Sequence, residues 1–370
     1  MAFLENYSHI REMIENEMET YLSEKIQNNN KPLLDEFYHL IKKHVFSGGK
    51  RLRPLCMVMA YRGYIDDYRI IGPSLSPELV HSSSLILDDA MDEDVIRHGE
   101  PTFNAIYADK FLDSLGFDFG KYSKGRYWIQ RDTLKDLFFA QKAISRYSYA
   151  LAVLGSNVMY SMSMELLGRY GFADSQVVRA LDLQRRMYQI LNEGQLMDIL
   201  YESMHSNEVE YLAMIHRKTG ILFIYPMRIG LVLAGVEDYK LLDGYANAIS
   251  IAFQIKDDIL GSFGSENVTG KSSFSDIVEG KRTLLVIKAQ ENATEKQRKM
   301  LDSILGYEHA SREDVATARD IFKETGAYEY CNELARAYAE ESKTLLPDDI
   351  STESRNYFLS LADFVTDRDL

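Results

Sequence analysis

From Tyr245 onward, apolar side chains recur at Ala248, Ile249, Ala252, Ile255 and Ile259, the three-and-four spacing of an amphipathic helix. Strict alternation of apolar and polar positions is scarce, as are the paired turn signals that close hairpins. The seven prolines stand at 32, 54, 73, 77, 101, 226 and 347, so two long stretches contain no helix breaker. No repeat of solenoid length is visible. The pattern predicts a single all-α domain over 1–370, built as a helical bundle.

One segment breaks the pattern. Residues 111–148 carry seven Lys/Arg against four Asp/Glu and hold the only tryptophan, Trp128, among many Phe and Tyr. Gly116, Gly120 and Gly125 predict an irregular first half, and Gln130 to Tyr147 a helix.

Composition narrows the function. A net charge of −14 argues against a nucleic-acid partner, which needs a basic face. Two distant cysteines, Cys56 and Cys331, match no metal or redox spacing and fit a reducing, cytoplasmic setting. The N-terminus, MAFLENYSHIREMIENEMET, reads as neither signal nor transit peptide. No stretch approaches the roughly 18 apolar residues of a membrane span.

Two carboxylate clusters carry the chemistry. LILDDAMDEDVIRHG holds Asp88, Asp89, Asp92 and Asp94, and on a helix Asp88 and Asp92 point the same way. Two carboxylates about 4 Å apart repel by roughly 4 kcal/mol at an effective dielectric of 20, so an apolar helix stacking them calls for a cation. Oxygen ligands suit Mg²⁺ when a substrate phosphate completes the shell. FQIKDDILG places Asp257 and Asp258 at the end of a nearly wholly apolar run, a poor match for a solvated face. The plainer alternatives are an acidic helix face and a polar helix end.

Basic residues match these acids. SGGKRLRP sets Lys50 and Arg53 after two glycines, whose backbone N–H groups can approach an anion. HRKTG supplies Lys218 and Thr219; VTGKSSFSDIVEGKRT supplies Lys271, Asp276 and Lys281; Arg97 follows the first cluster. His81 lies two helical turns before Asp88, on the same face. Aspartates bind a diphosphate only through a metal, while lysines and arginines grip its remaining oxygens. The residues alone therefore describe a Mg²⁺–diphosphate site above an apolar cavity.

GGKRLRP, LVHSSSLILDDAMDEDVIRHG, GQLMD, KTG, FQIKDDILG and GKSSFSDIVEGKRT, in this order, resemble the trans-isoprenyl diphosphate synthase (polyprenyl synthetase) family, with the similarity running from about residue 40 to 300. The resemblance implies the all-α isoprenoid synthase bundle around a central cavity, usually as a homodimer. It implies Mg²⁺ on Asp88, Asp92 and Asp257, with Asp89 and Asp258 beside them. It assigns the allylic diphosphate to Arg97, Lys218, Lys271 and Lys281. Thr219 and Gln254 would lie near the developing cation, and Lys50, Arg53 and His81 would bind isopentenyl diphosphate. The implied reaction ionises an allylic diphosphate (dimethylallyl, geranyl or farnesyl), condenses it with isopentenyl diphosphate and loses a proton.

The chain departs from the family pattern in four places. His98 stands where a second arginine is usual, putting a titratable imidazole in the isopentenyl site. Gly261 replaces the last Asp of the second motif, which weakens metal ligation there. Asn157 in LAVLGSN replaces an Asp. Residues 111–148 read as an insertion, serving as lid, dimer contact, membrane-surface contact or plain loop. Ser83 and Ser84, five and four residues before Asp88, are small where aromatics would block a short pocket. The expected product is geranylgeranyl diphosphate (C20), with farnesyl or C25 and longer as alternatives. A terpene cyclase would lack the GGKRLRP site, a non-catalytic partner subunit would tend to lose aspartates or lysines, and a metal-dependent phosphohydrolase would leave the paired basic sites unexplained.

Overall fold

The computed structural model describes residues 2–29, 31–114, 142–204, 206–264, 275–307 and 309–367. In chain order the helices are α1 (Ala2–Asn6), α2 (Ser8–Gln27), α3 (Pro32–Phe46), α4 (Leu52–Arg62), α5 (Ile71–Met91), α6 (Phe103–Ser114), α7 (Lys142–Gly168), α8 (Asp174–Ser203), α9 (Glu208–Ile215), α10 (Ile221–Leu233), α11 (Asp243–Phe263), α12 (Ser275–Glu279), α13 (Leu284–Asn292), α14 (Glu295–Ile304), α15 (Arg312–Glu324), α16 (Ala327–Thr344) and α17 (Thr352–Thr366). Among the described residues the only strands are Ile96–Arg97 and Glu100–Pro101, an antiparallel pair after α5. The predicted all-α bundle is observed. Most of the predicted insertion, including Trp128, lies outside the described residues; its last part, from Lys142, starts α7.

Burial follows the sequence pattern. Ala248, Ile249, Ala252, Ile255 and Ile259 are all buried, the inward stripe of α11. α10 is apolar all round and buried all round, as a central bundle helix should be. Its one basic residue, Arg228, is paired with both oxygens of Asp243, at 2.8 and 2.6 Å. α5 packs along α7, α10 against α4 and α8, and α11 against α16. Local signals set several starts: Asn207, Thr294 and Ser311 each accept from a backbone N–H three residues on and form capping boxes.

Two expectations change. Pro77 and Pro226 lie inside α5 and α10 instead of ending helices. Packing on all sides outweighs the lost backbone bond. By length and composition alone, the segment Arg146–Gly168 of α7 could cross a membrane, although no such stretch was expected. Ala152, Met159, Met162, Leu166 and Leu167 form its buried face within the bundle, while Val153 and Leu154 lie exposed on the other.

Candidate active site

α5 ends in the first acidic cluster, and the end of a helix that repels anions is where it ends. Asp88 and Asp89 lie in the last turn and Asp92 is the C-cap, at the negative pole of the backbone dipole. Cations from three other parts of the chain offset this. The turn at His98 (φ 52°) and Gly99 (φ 78°) is left-handed at both positions and folds the short strand pair back. Arg97 is thereby brought onto Asp89 Oδ1 at 2.5 Å and Asp88 Oδ2 at 3.2 Å. Asp88 Oδ1 also accepts from Lys218 Nζ at 3.1 Å and from Gln195 Nε2 at 3.1 Å. Lys281 Nζ donates to Asp92 Oδ2 at 3.1 Å. Burial works against the charge of Arg97, but Asp89 and Asp88 hold its proton firmly.

Lys218 and Thr219 sit on a single π-helical turn, His216–Gly220, between α9 and α10. This turn lies directly against α8, because Gly194 has no side chain: a Cβ there would come within 2.4 Å of the Lys218 nitrogen. The close approach brings Gln195 and Asp198 of α8 to the site. Asp198 accepts from Lys218 Nζ at 2.5 Å. GQLMD was legible as a motif, yet neither residue had an assigned role.

The second cluster divides its labour. Both aspartates line the cavity, but Asp257 is exposed whereas Asp258 is buried. Asp258 accepts from Tyr211 OH at 2.6 Å and from Gln254 Nε2 at 2.8 Å. With its amide nitrogen so held, Gln254 offers Oε1 to the Thr219 hydroxyl at 2.6 Å. Tyr211, which no sequence motif singles out, completes this chain of hydrogen bonds. Burial first, then the negative Asp276 and Asp257, raises the Asp258 carboxyl to about 8 against the opposing hydrogen bonds. Its proton is thus retained in the folded state at pH values where an unfolded aspartate is ionised. The associated stability is complete below the ordinary carboxylate range and is lost as pH rises through about 8. Thermal melts of metal-free protein should show a decline from about pH 5 to 9 that Asp258→Asn flattens; parallel curves for the two proteins would contradict it.

Asp88, Asp257, Lys218, Thr219, Gln254, Arg97, Lys281, Lys50, Arg53, His81, His98 and Ser84 all line one cavity of about 940 Å³. Asp89 and Asp92 do not: Asp89 is fully buried behind Arg97, and Asp92 meets the cavity through Lys281. Lys271 lies outside the described residues. Ser83 is fully buried, donates to Val80 O at 2.7 Å and is absent from the cavity wall, so only Ser84 of the expected pair faces it. Residues one apart on a helix point about 100° apart.

The basic loop has its own anchor. Gly49 (φ 108°) and Arg51 (φ 55°) are both left-handed. Arg51 is buried, donating to Glu78 Oε1 at 2.7 Å and to Val45 O at 2.9 Å. That pairing leaves Lys50 and Arg53 directed at the cavity, Lys50 over the ring of Phe364 at 5.5 Å and Arg53 over Phe223 at 5.7 Å. Burial, Arg53 and Arg97 together push the His81 imidazole well below its usual range, so the ring is neutral.

The donor set fits a divalent cation. Burial and the neighbouring Asp88 raise Asp92 to about 6, a repulsion that a cation at the cluster would relieve. Among the described residues no three His, Cys, Asp or Glu side chains converge tightly enough to enclose an ion unaided. Phosphate oxygens are the natural completion of such a shell.

Acids at the mouth, cations around them and an apolar interior define a site for a diphosphate on a hydrocarbon, and the comparisons agree. Residues 35–117 and 140–322 match the polyprenyl synthetase family, the match resuming after a gap within the expected insertion. The chain is 31% identical to a geranylgeranyl diphosphate synthase of Sulfolobus acidocaldarius, over 91% of this chain and 90% of that one. It is 33% identical to a geranylfarnesyl diphosphate synthase of Aeropyrum pernix, over 89% and 92%. Among solved structures, a geranylgeranyl pyrophosphate synthase of Corynebacterium glutamicum, complexed with isoprenyl diphosphate and magnesium, superposes with a TM-score of 0.83 at 24% identity, over 97% and 99%. The chain belongs to the polyprenyl synthetase family. It is a prenyltransferase, a trans-isoprenyl diphosphate synthase.

Proposed function

We propose that this enzyme extends an allylic diphosphate with isopentenyl diphosphate and releases geranylgeranyl diphosphate. The observation that carries the reading is the single cavity bearing Asp88, Lys218 and Asp257 together with the GGKRLRP loop. In this reading Asp88, Asp92 and Asp257 hold Mg²⁺, and Arg97, Lys218, Lys271 and Lys281 hold the allylic diphosphate. Bound Mg²⁺ would neutralise charge on the departing pyrophosphate. The Thr219 hydroxyl and the Gln254 carbonyl oxygen, oriented by Asp258 and Tyr211, present partial negative charge to the allylic carbons as they become cationic. Lys50, Arg53 and the neutral His81 hold isopentenyl diphosphate.

The C20 product rests on small Ser84 facing the cavity and on the geranylgeranyl synthases among the relatives. The geranylfarnesyl synthase relative and the same small Ser84 favour C25 as the second reading. A homodimer in the cytoplasm is part of the proposal. Apolar side chains stand exposed on neighbouring α7 and α8, among them Leu154 (54%), Val178 (67%) and Leu196 (58%), as on a surface awaiting a partner. Incubating purified protein with Mg²⁺, labelled isopentenyl diphosphate and each allylic primer, then sizing the products, should give C20 from farnesyl diphosphate. No incorporation with any primer would reject the activity, and a dominant C15 or C25 product would reject the chain length.

His98 offers a separate test. Its left-handed backbone is a conformation histidine tolerates better than most side chains. His98→Arg should lower the isopentenyl diphosphate KM by supplying a permanent cation, at a stability cost of about 1 kcal/mol. An unchanged KM would reject a diphosphate-binding role for this position.

A further inference from the structure

Gly261 ends the second acidic motif where a third carboxylate is expected, and the sequence alone implies a weakened site there. The space is filled. A Cβ built on Gly261 would lie 2.1 Å from Asp276 Oδ2 and 2.6 Å from its carboxyl carbon. The Asp276 carboxylate therefore occupies the volume that a side chain at 261 would take, and both residues line the cavity with Asp257. Asp276 arrives from the short helix α12, fifteen positions along the chain.

Its placement is firm. The next residue, Ile277, is buried in a small apolar cluster with Val286, Leu301 and Phe322. The Ile277 carbonyl accepts from Gly306 N at 3.1 Å, and the Asp276 carbonyl accepts from Lys281 N at 3.0 Å. The backbone that delivers the Asp276 carboxylate is thus the backbone that delivers Lys281, whose ammonium reaches across to Asp92.

We infer that Asp276 supplies the third carboxylate of the second acidic ladder in place of Gly261, holding a divalent cation and its diphosphate together with Asp257. This deepens the proposed function and rests on its metal–diphosphate reading. The two positions are then coupled: one carboxylate is needed, from either backbone, and two cannot fit without displacement.

The test is a two-site exchange read by binding and kinetics. Thermal shift and calorimetry with Mg²⁺ plus inorganic pyrophosphate should show about tenfold weaker binding for Asp276→Asn, with the Mg²⁺ concentration for half-maximal activity raised to a similar degree. Gly261→Asp alone should also weaken binding, because the two carboxylates collide. Gly261→Asp combined with Asp276→Ser should recover most of the affinity, an outcome that a purely structural Asp276 would not produce. The inference is overturned if Asp276→Asn binds Mg²⁺ and pyrophosphate within twofold of the unaltered protein, or if the exchanged pair is no better than Asp276→Ser. Unaltered protein that binds no Mg²⁺–pyrophosphate would instead overturn the metal–diphosphate reading itself.

Discussion

Asp88→Asn is expected to lower kcat by about a thousandfold, about 4 kcal/mol of transition-state stabilisation, with little change in folding stability. Asp88 is the hub of the site, accepting from Arg97, Lys218 and Gln195 at once. An amide there can neither hold a cation nor align all three donors. Each cation nonetheless keeps a second carboxylate: Arg97 keeps Asp89 at 2.5 Å, and Lys218 keeps Asp198 at 2.5 Å. No buried charge is stranded, so the usual penalty of several kcal/mol for breaking a buried pair is avoided. Asp92 should also lose the repulsion that helps raise it. Steady-state kinetics and metal-free thermal melts check both halves. A kcat within tenfold of the unaltered enzyme, or a collapse in melting temperature, would count against this account.

Ser84→Phe is expected to shorten the product by at least one five-carbon unit, and Ser83→Phe is not. Ser84 is half-buried on the cavity wall, one helical turn from Asp88 along the path an elongating tail would take. A benzyl group there fills space the tail needs. Ser83 is fully buried between helices. An aromatic ring at that position overpacks the core, at a cost of about 1–3 kcal/mol, without entering the cavity. Product sizing and melting curves of the two variants separate these effects. Shortening by Ser83→Phe with none from Ser84→Phe would reverse the assignment.

The contrast between these serines shows what a sequence conveys and what it withholds. The buried stripe of α11 was legible because helical periodicity is local. The two acidic clusters were legible because carboxylates beside apolar runs are costly without a partner. Which member of each pair is the more exposed was not. Asp257 is exposed and Asp258 buried through tertiary packing, above all through Tyr211, 47 positions away. Gln195 comes to Asp88 from 107 positions away, by a contact that depends on the absence of a side chain at Gly194. Gly261 was misleading for the same reason: a missing carboxylate is visible in the sequence, and its replacement by Asp276 only in space.

In the proposed reading the two acidic ladders become a metal site only through a shared diphosphate. Calorimetric titration of Mg²⁺ with and without pyrophosphate tests it most directly. Strong binding should appear only when pyrophosphate is present, and Asp88→Asn and Asp257→Asn should each weaken it. Equal Mg²⁺ binding without pyrophosphate, or an Asp257→Asn variant that binds as the unaltered protein does, would contradict the account.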